Sequence, residues 1–249
     1  MIHLKSPQEI TIMRDANRIV AEILTELKAR VAPGVSTMEL NELGEDLAAK
    51  HGVHPAFKGY RGFPYALCAS VNEEVVHGMP AHSRLLREGD IIGLDFGIIY
   101  RDYYGDAAIT VPVGQVDEAA QRLLQTAKES LAQGIVQAVT GKRLSDISHA
   151  IQSYVEERGF SVVREFTGHG IGRNLHESPQ IPNYGSPGRG VRLQAGMVLA
   201  IEPMINQGES GVEILEDGWT AVTKDRRLSA HFEHSVAITE NGPEILSRR

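Results

Sequence analysis

Sliding the 249-residue chain along itself reveals a repeat at an offset of 107 residues that runs without gaps. Gly34 falls on Gly141, Glu39 on Asp146, Leu40 on Ile147 and Gly52 on Gly159. The same offset lays Gly89-Asp90-Ile91-Ile92-Gly93-Leu94-Asp95 on Gly196-Met197-Val198-Leu199-Ala200-Ile201-Glu202. Matching glycines arise easily by chance; an apolar strand that ends in an acid both times does not. The repeat predicts one domain of two related halves, about 1–113 and 114–249, facing each other across a shared site.

Each half reads as two helices followed by strands, an α/β class. Ser6-Pro7-Gln8-Glu9 and Ser36-Thr37-Met38-Glu39 are capping boxes, the first with proline at the opening helical position. Apolar residues at helical spacing run from Ile10 to Leu27, and Pro33-Gly34 stops them; the next helix ends near Gly52. Further helices are predicted over 119–139 and 145–157. Strands are predicted over 66–71, 91–99, 104–113, 162–165, 197–202, 212–215, 220–223 and 231–238.

With 25 Lys+Arg against 32 Asp+Glu and no basic run, neither nucleic acid nor an anionic membrane is the expected partner. Cys68, the single cysteine, has no internal partner, which favours a reducing, cytoplasmic location. No stretch is apolar enough for a signal core or a membrane span.

The acids carry the chemistry. Asp95 stands inside the apolar run Ile91-Ile92-Gly93-Leu94-Asp95-Phe96, and Asp106 inside the next strand. A turn at Tyr100-Arg101-Asp102 would set the two directly opposite, with Cβ atoms roughly 4.5–5.5 Å apart. Carboxylates that close cannot both stay ionised without a cation; a raised pKa or a neighbouring arginine is the plainer alternative. Glu202 and Glu233 repeat the pattern in the second half. Four acids embedded in strands favour two cations bridged by carboxylates, the arrangement of metal-assisted hydrolysis. Among ten histidines two stand out, His169 in Gly168-His169-Gly170-Ile171-Gly172, where glycines imply a tight turn or close backbone approach, and His176 just after it. Taken singly, His169, His176 and His77 are each more readily explained as hydrogen-bonded core or surface residues than as ligands.

Taken together, these residues resemble a family. Val71-Asn72-Glu73, Val76-His77-Gly78, Leu94-Asp95-Phe96-Gly97, Gly105-Asp106, His176-Glu177, Ile201-Glu202-Pro203, Asp217-Gly218-Trp219-Thr220 and Glu233-His234, with the His169 motif, are similar to type I methionine aminopeptidases over the whole length. The resemblance implies the pita-bread fold, two pseudo-symmetric halves each with two helices and antiparallel strands. It implies two divalent cations, with Co, Mn, Fe and Zn all suited to carboxylate and imidazole donors. Asp95 would hold one, Asp106 and Glu233 would bridge both, and His169 with Glu202 would complete the second. Glu202 would also shuttle protons, while His77 and His176 would contact the substrate near the scissile bond. Tyr60, Phe63, Cys68 and Trp219 would line the methionine pocket.

The implied activity is removal of N-terminal methionine from nascent proteins and peptides whose second residue is small. The enzyme would be monomeric and act near the ribosome. Leu175, Phe57 and His231 depart from common residues of the family, the first two beside the pocket. Proline-directed relatives usually carry an additional N-terminal domain. Metal-free relatives, whether binding proteins or creatinase-like hydrolases, lack ligand positions that are filled here.

Overall fold

The computed structural model describes residues 2–248. In chain order its elements are α1 (Pro7–Arg30), α2 (Thr37–Lys50), β1 (His54–Pro55), β2 (Leu67–Val71), β3 (Glu74–Val76), β4 (Ile91–Tyr100) and β5 (Tyr103–Pro112). The second half continues with α3 (Glu118–Val136), α4 (Leu144–Glu156), β6 (Ser161–Val162), β7 (Thr167–Gly170), β8 (Glu177–Pro182), β9 (Val198–Ile201) and β10 (Met204–Asn206). β11 (Val212–Ile214), β12 (Ala221–Thr223), β13 (Ser229–His231), β14 (Glu233–Thr239) and β15 (Gly242–Ile245) complete it. No helix among the described residues is long and apolar enough to cross a membrane.

Both predicted capping boxes form. Glu9 N–H donates to Ser6 Oγ at 3.3 Å while Ser6 N–H donates to Glu9 Oε2 at 2.8 Å. Ser36 and Glu39 repeat this at 3.2 and 2.8 Å. The apolar stripe of α1 and the inner face of α2 pack with Leu67, Leu94 and Phe96 into one core. Leu123, Ile147 and Ile151 from α3 and α4 pack with Leu199 and Val236 into another.

The 107-residue offset is written into the backbone. Gly34 N–H donates to the Leu86 carbonyl at 2.8 Å, and Gly141 N–H to the Leu193 carbonyl at 2.9 Å. Isolated bridges join Ser36 to Leu85 and, 107 residues later, Arg143 to Arg192. Gly34 and Gly141 sit at φ 87° and 91°, a conformation that excludes most side chains.

One large antiparallel sheet crosses both halves in the order β1-β4-β5-β14-β9-β7-β8. Several sequence expectations change here. Asp95 pairs with Ala108 and Gly97 with Asp106, two residues from the expected register. The turn is the two-residue Arg101-Asp102, with φ of 50° and 64°, the left-handed pair that a tight hairpin favours. A shift of two preserves the face, so the two acids remain neighbours, on a diagonal rather than opposite. The predicted 231–238 strand is two: β13 pairs with β10 and β14 with β9 and β5. Pro203, lacking an N–H, ends β9 one residue before Glu202 and separates it from β10. The predicted 162–165 strand closes after Val162, and the glycine-rich segment around His169 is itself strand β7.

Candidate metal centre

The sheet aligns the acids in a row. Asp95 on β4 pairs with Ala108 on β5, and Ala108 in turn pairs with Glu233 on β14. Residues paired across strands share a face, so two carboxylates flank one methyl group. Asp106 lies two residues along β5 on that face. His169 pairs with Ala200 on β9, which places Glu202, two residues on, beside it.

Ligating atoms of Asp106, His169 and Glu233 lie within 4.8 Å of one another. His169 Nε2 is 3.4 Å from Glu202 Oε1 and 3.9 Å from Asp106 Oδ2. Its Nδ1 lies 2.9 Å from the Gly170 carbonyl, which only accepts, so Nδ1 carries the proton and Nε2 presents a lone pair to the acids. Burial holds the imidazole pKa down to about 3, which keeps the ring neutral.

The carboxyls move the other way. Burial, opposed by His231 and aided by Glu202, lifts Asp95 to about 7. Burial first, then the neighbouring carboxylates, pushes Asp106 and Glu233 well above the ordinary range, and burial does the same for Glu202. Asp95 Oδ1, Asp106 Oδ1 and Glu233 Oε1 are buried and have no hydrogen-bond partner among the described residues. Unsatisfied buried oxygens are costly, and lone pairs converging from four acids and a neutral imidazole repel unless a cation lies between them. This donor set fits hard-to-borderline divalent cations. Supporting bonds hold the acids in place: Asp106 N–H donates to Asn17 Oδ1 at 3.2 Å, and Ser235 Oγ donates to the Asp106 carbonyl at 2.9 Å.

His231 belongs to this cluster rather than to a remote core. Its Nε2 is 3.6 Å from Glu202 Oε2, and Thr110 ties its backbone at both N–H and carbonyl, at 2.9 and 2.7 Å.

Above the acids opens a cavity of about 160 Å³, lined by Tyr60, Phe63, Cys68, His77, His176 and Trp219 as well as the acids and His169. Its size suits one mid-sized apolar side chain, since a cavity of roughly 150 Å³ holds benzene. Phe63 and Trp219 meet edge-to-face at 5.2 Å. Tyr60 stacks on His176, its hydroxyl 2.9 Å from Nδ1. His77 sits at φ 59° with its ring edge-on to Phe166 and Trp219. Burial, and then Asp95, Asp106 and Glu233, push the Cys68 thiol up, so it stays protonated. All eleven residues singled out from the sequence therefore meet at one centre. Phe57 and Leu175 line the wall as well. Sequence reasoning passed over Arg61, Ala108, Asn17 and Phe166. Ala108 and Asn17 carry no signal in hydropathy, whereas Arg61 sits between glycines and aromatics in Gly59-Tyr60-Arg61-Gly62-Phe63, with φ of 50°.

A model of metallopeptidase family M24 matches residues 11–240. Methionine aminopeptidase 1 of Bacillus subtilis is 54% identical over 248 residues, covering 100% of both chains. Methionine aminopeptidase of Clostridium perfringens is 53% identical over 247 residues, 99% of each. The crystal structure of methionine aminopeptidase from Thermotoga maritima superimposes with a TM-score of 0.99 at 50% identity, covering 100% of both chains. A prolidase from Pyrococcus horikoshii OT3 reaches a TM-score of 0.79 at 22% identity, over 98% of this chain and 63% of its own, a likeness of fold alone.

Proposed function

Because the chain belongs to metallopeptidase family M24, we propose that its cavity is the active site of a metal-dependent methionine aminopeptidase. The observation that carries this reading is the row of buried, unpartnered carboxylates at the floor of an apolar slot. Full-length identity to the bacterial methionine aminopeptidases supports it.

Asp95, Asp106, His169, Glu202 and Glu233 would hold two divalent cations. When bound, the cations supply Lewis acidity to the scissile carbonyl and lower the pKa of a water. The chain's own residues do the rest. Glu202, between the His169 and His231 imidazoles, is placed to hold and pass a proton. In the tautomer where the Tyr60 hydroxyl donates to Nδ1, His176 carries its proton on Nε2 and would donate to the carbonyl oxygen as negative charge builds there. His77, whose pKa burial holds down to about 4, is neutral at pH 7 and offers a second such contact.

Phe63, Trp219, Tyr60 and Cys68 give methionine an apolar slot that its flexible, polarizable thioether fills. The second substrate residue would lie near His77, and in this reading it is small. Peptide and nascent-chain N-termini in the cytoplasm are the corresponding substrates, and the enzyme would act there as a monomer.

Protein stripped of metal should lose turnover of Met-Ala and Met-Gly peptides and regain it with one or more of Co, Mn, Fe and Zn, while Met-Arg and Met-Glu stay poor substrates. Full activity without metal, or preference for X-Pro peptides, would overturn the reading.

A further inference from the structure

The loop that presents His176 is fastened from behind by a residue of the N-terminal segment. Lys5 Nζ lies 2.7 Å from Glu177 Oε2, and both side chains are nearly sealed from solvent, at 6% and 7% exposure. The pair spans 172 positions of the chain. Lys5 is itself anchored, since its N–H donates to the Gly196 carbonyl at 2.7 Å. On the other side, Glu177 Oε1 accepts from Asn174 N–H at 3.1 Å.

Gly170 and Glu177 are partners in the ladder between β7 and β8, at the point where its register shifts. The loop between them thus leaves and rejoins the sheet at one place. His169 stands just before it and His176 is its last residue, and their rings approach to 4.3 Å between centroids. Gly172, within this loop, makes room for the ion pair. A Cβ there would lie 2.6 Å from Lys5 Cε and 2.7 Å from Glu177 Oε1.

A buried ion pair is a poor source of stability compared with apolar side chains of similar volume, but it is demanding in geometry. This one fixes the residue next to His176, and Lys5 and Glu177 line a different cavity from the one above the acids. We propose that Lys5 is a positioning residue for the reaction: through Glu177 it sets where His176 stands relative to Tyr60 and the scissile carbonyl. The proposal rests on the role given to His176 above.

Lys5→Met tests it. On a Met-Ala peptide with metal supplied, kcat should fall about 10- to 100-fold with KM little changed, the scale expected when a catalytic group is displaced by about an ångström. His176→Ala should fall about 10²- to 10³-fold. Lys5→Met combined with His176→Ala should be no slower than His176→Ala alone, because the two act through one group. In metal-free protein labelled with ¹⁵N-histidine, Lys5→Met should move the His176 nitrogen signals and leave those of His149, on α4, in place.

Gly172→Ala displaces the same lysine tip without removing a charge, and its backbone conformation is open to alanine, so it should reproduce the fall in kcat even where Lys5→Met folds poorly. Multiplicative effects in the combined variant, or wild-type kcat in both Lys5→Met and Gly172→Ala, would overturn the proposal alone. Wild-type turnover in His176→Ala would remove the role of His176 and the proposal with it.

Discussion

At the scale of single residues, the centre is a set of groups forced out of their ordinary ionisation. Asp95 is lifted to about 7 from 3.8; burial raises Asp106, Glu202 and Glu233 well above the ordinary range, and neighbouring carboxylates add to it for Asp106 and Glu233. Without metal, the native protein therefore holds protons that the unfolded chain releases. Stability from such carboxyls is full below about pH 4 and is lost as pH rises through the folded value. The buried histidines work in the opposite sense. His169, held down to about 3, contributes above the unfolded value near 6.5 and loses that contribution as pH falls. The two trends oppose each other until about pH 7.5, where the unfolded histidines have released their protons; beyond it the raised carboxyls, joined by the raised Cys68 thiol, set the slope. Melting temperatures of chelated protein should thus fall from about pH 7.5 to 8.5, while divalent cation flattens the decline. Calorimetry across that range decides it, and a rising melting temperature in chelated protein would contradict the assignment.

At the scale of elements, what matters is how small residues let backbones and carboxylates converge. Ala108 separates Asp95 from Glu233 across three strands and is 1% exposed. Ala108→Val suits a strand, yet it places two methyls between the proposed donors. Bound metal should drop below one equivalent per chain by elemental analysis, with the β signature in circular dichroism kept. Unchanged metal content would mean that this row of side chains is not the binding surface.

The same elements explain what could be read from sequence. Ser6, Ser36, the α1 stripe and the acid-tipped strands announce themselves, because capping and periodicity are local. The hairpin register was missed by two residues, since Arg101 and Asp102 adopt left-handed φ values that no glycine or asparagine advertised. The glycines of β7 read as a tight turn or a close backbone approach, and the second holds within a strand: a Cβ at Gly168 would strike the Ala200 carbonyl oxygen, a constraint imposed by a strand 32 positions away. Asp95 and Asp106 survived the register error because a slip of two preserves the face.

At the scale of the whole molecule, the proposed donors come from both halves of a duplicated fold: Asp95 and Asp106 from one, His169, Glu202 and Glu233 from the other. A cation bound there clamps β4 and β5 to β7, β9 and β14. At 100 times its Kd, such a ligand adds about 2.7 kcal/mol to the stability of the state that binds it. Hydrogen exchange should therefore slow in β4 and β9 together on adding Mn²⁺, and thermal unfolding should remain one transition. Protection confined to a single half would show that the clamp does not span the halves. The order of the donors along the chain has a consequence during synthesis. Translation delivers Asp95 and Asp106 well over a hundred residues before Glu233, so a growing chain exposes an incomplete set of acids throughout most of its manufacture. A peptidase assembled in this way is silent until β14 has left the ribosome and slotted between β5 and β9, and the last strand to join the site is the one that arms it.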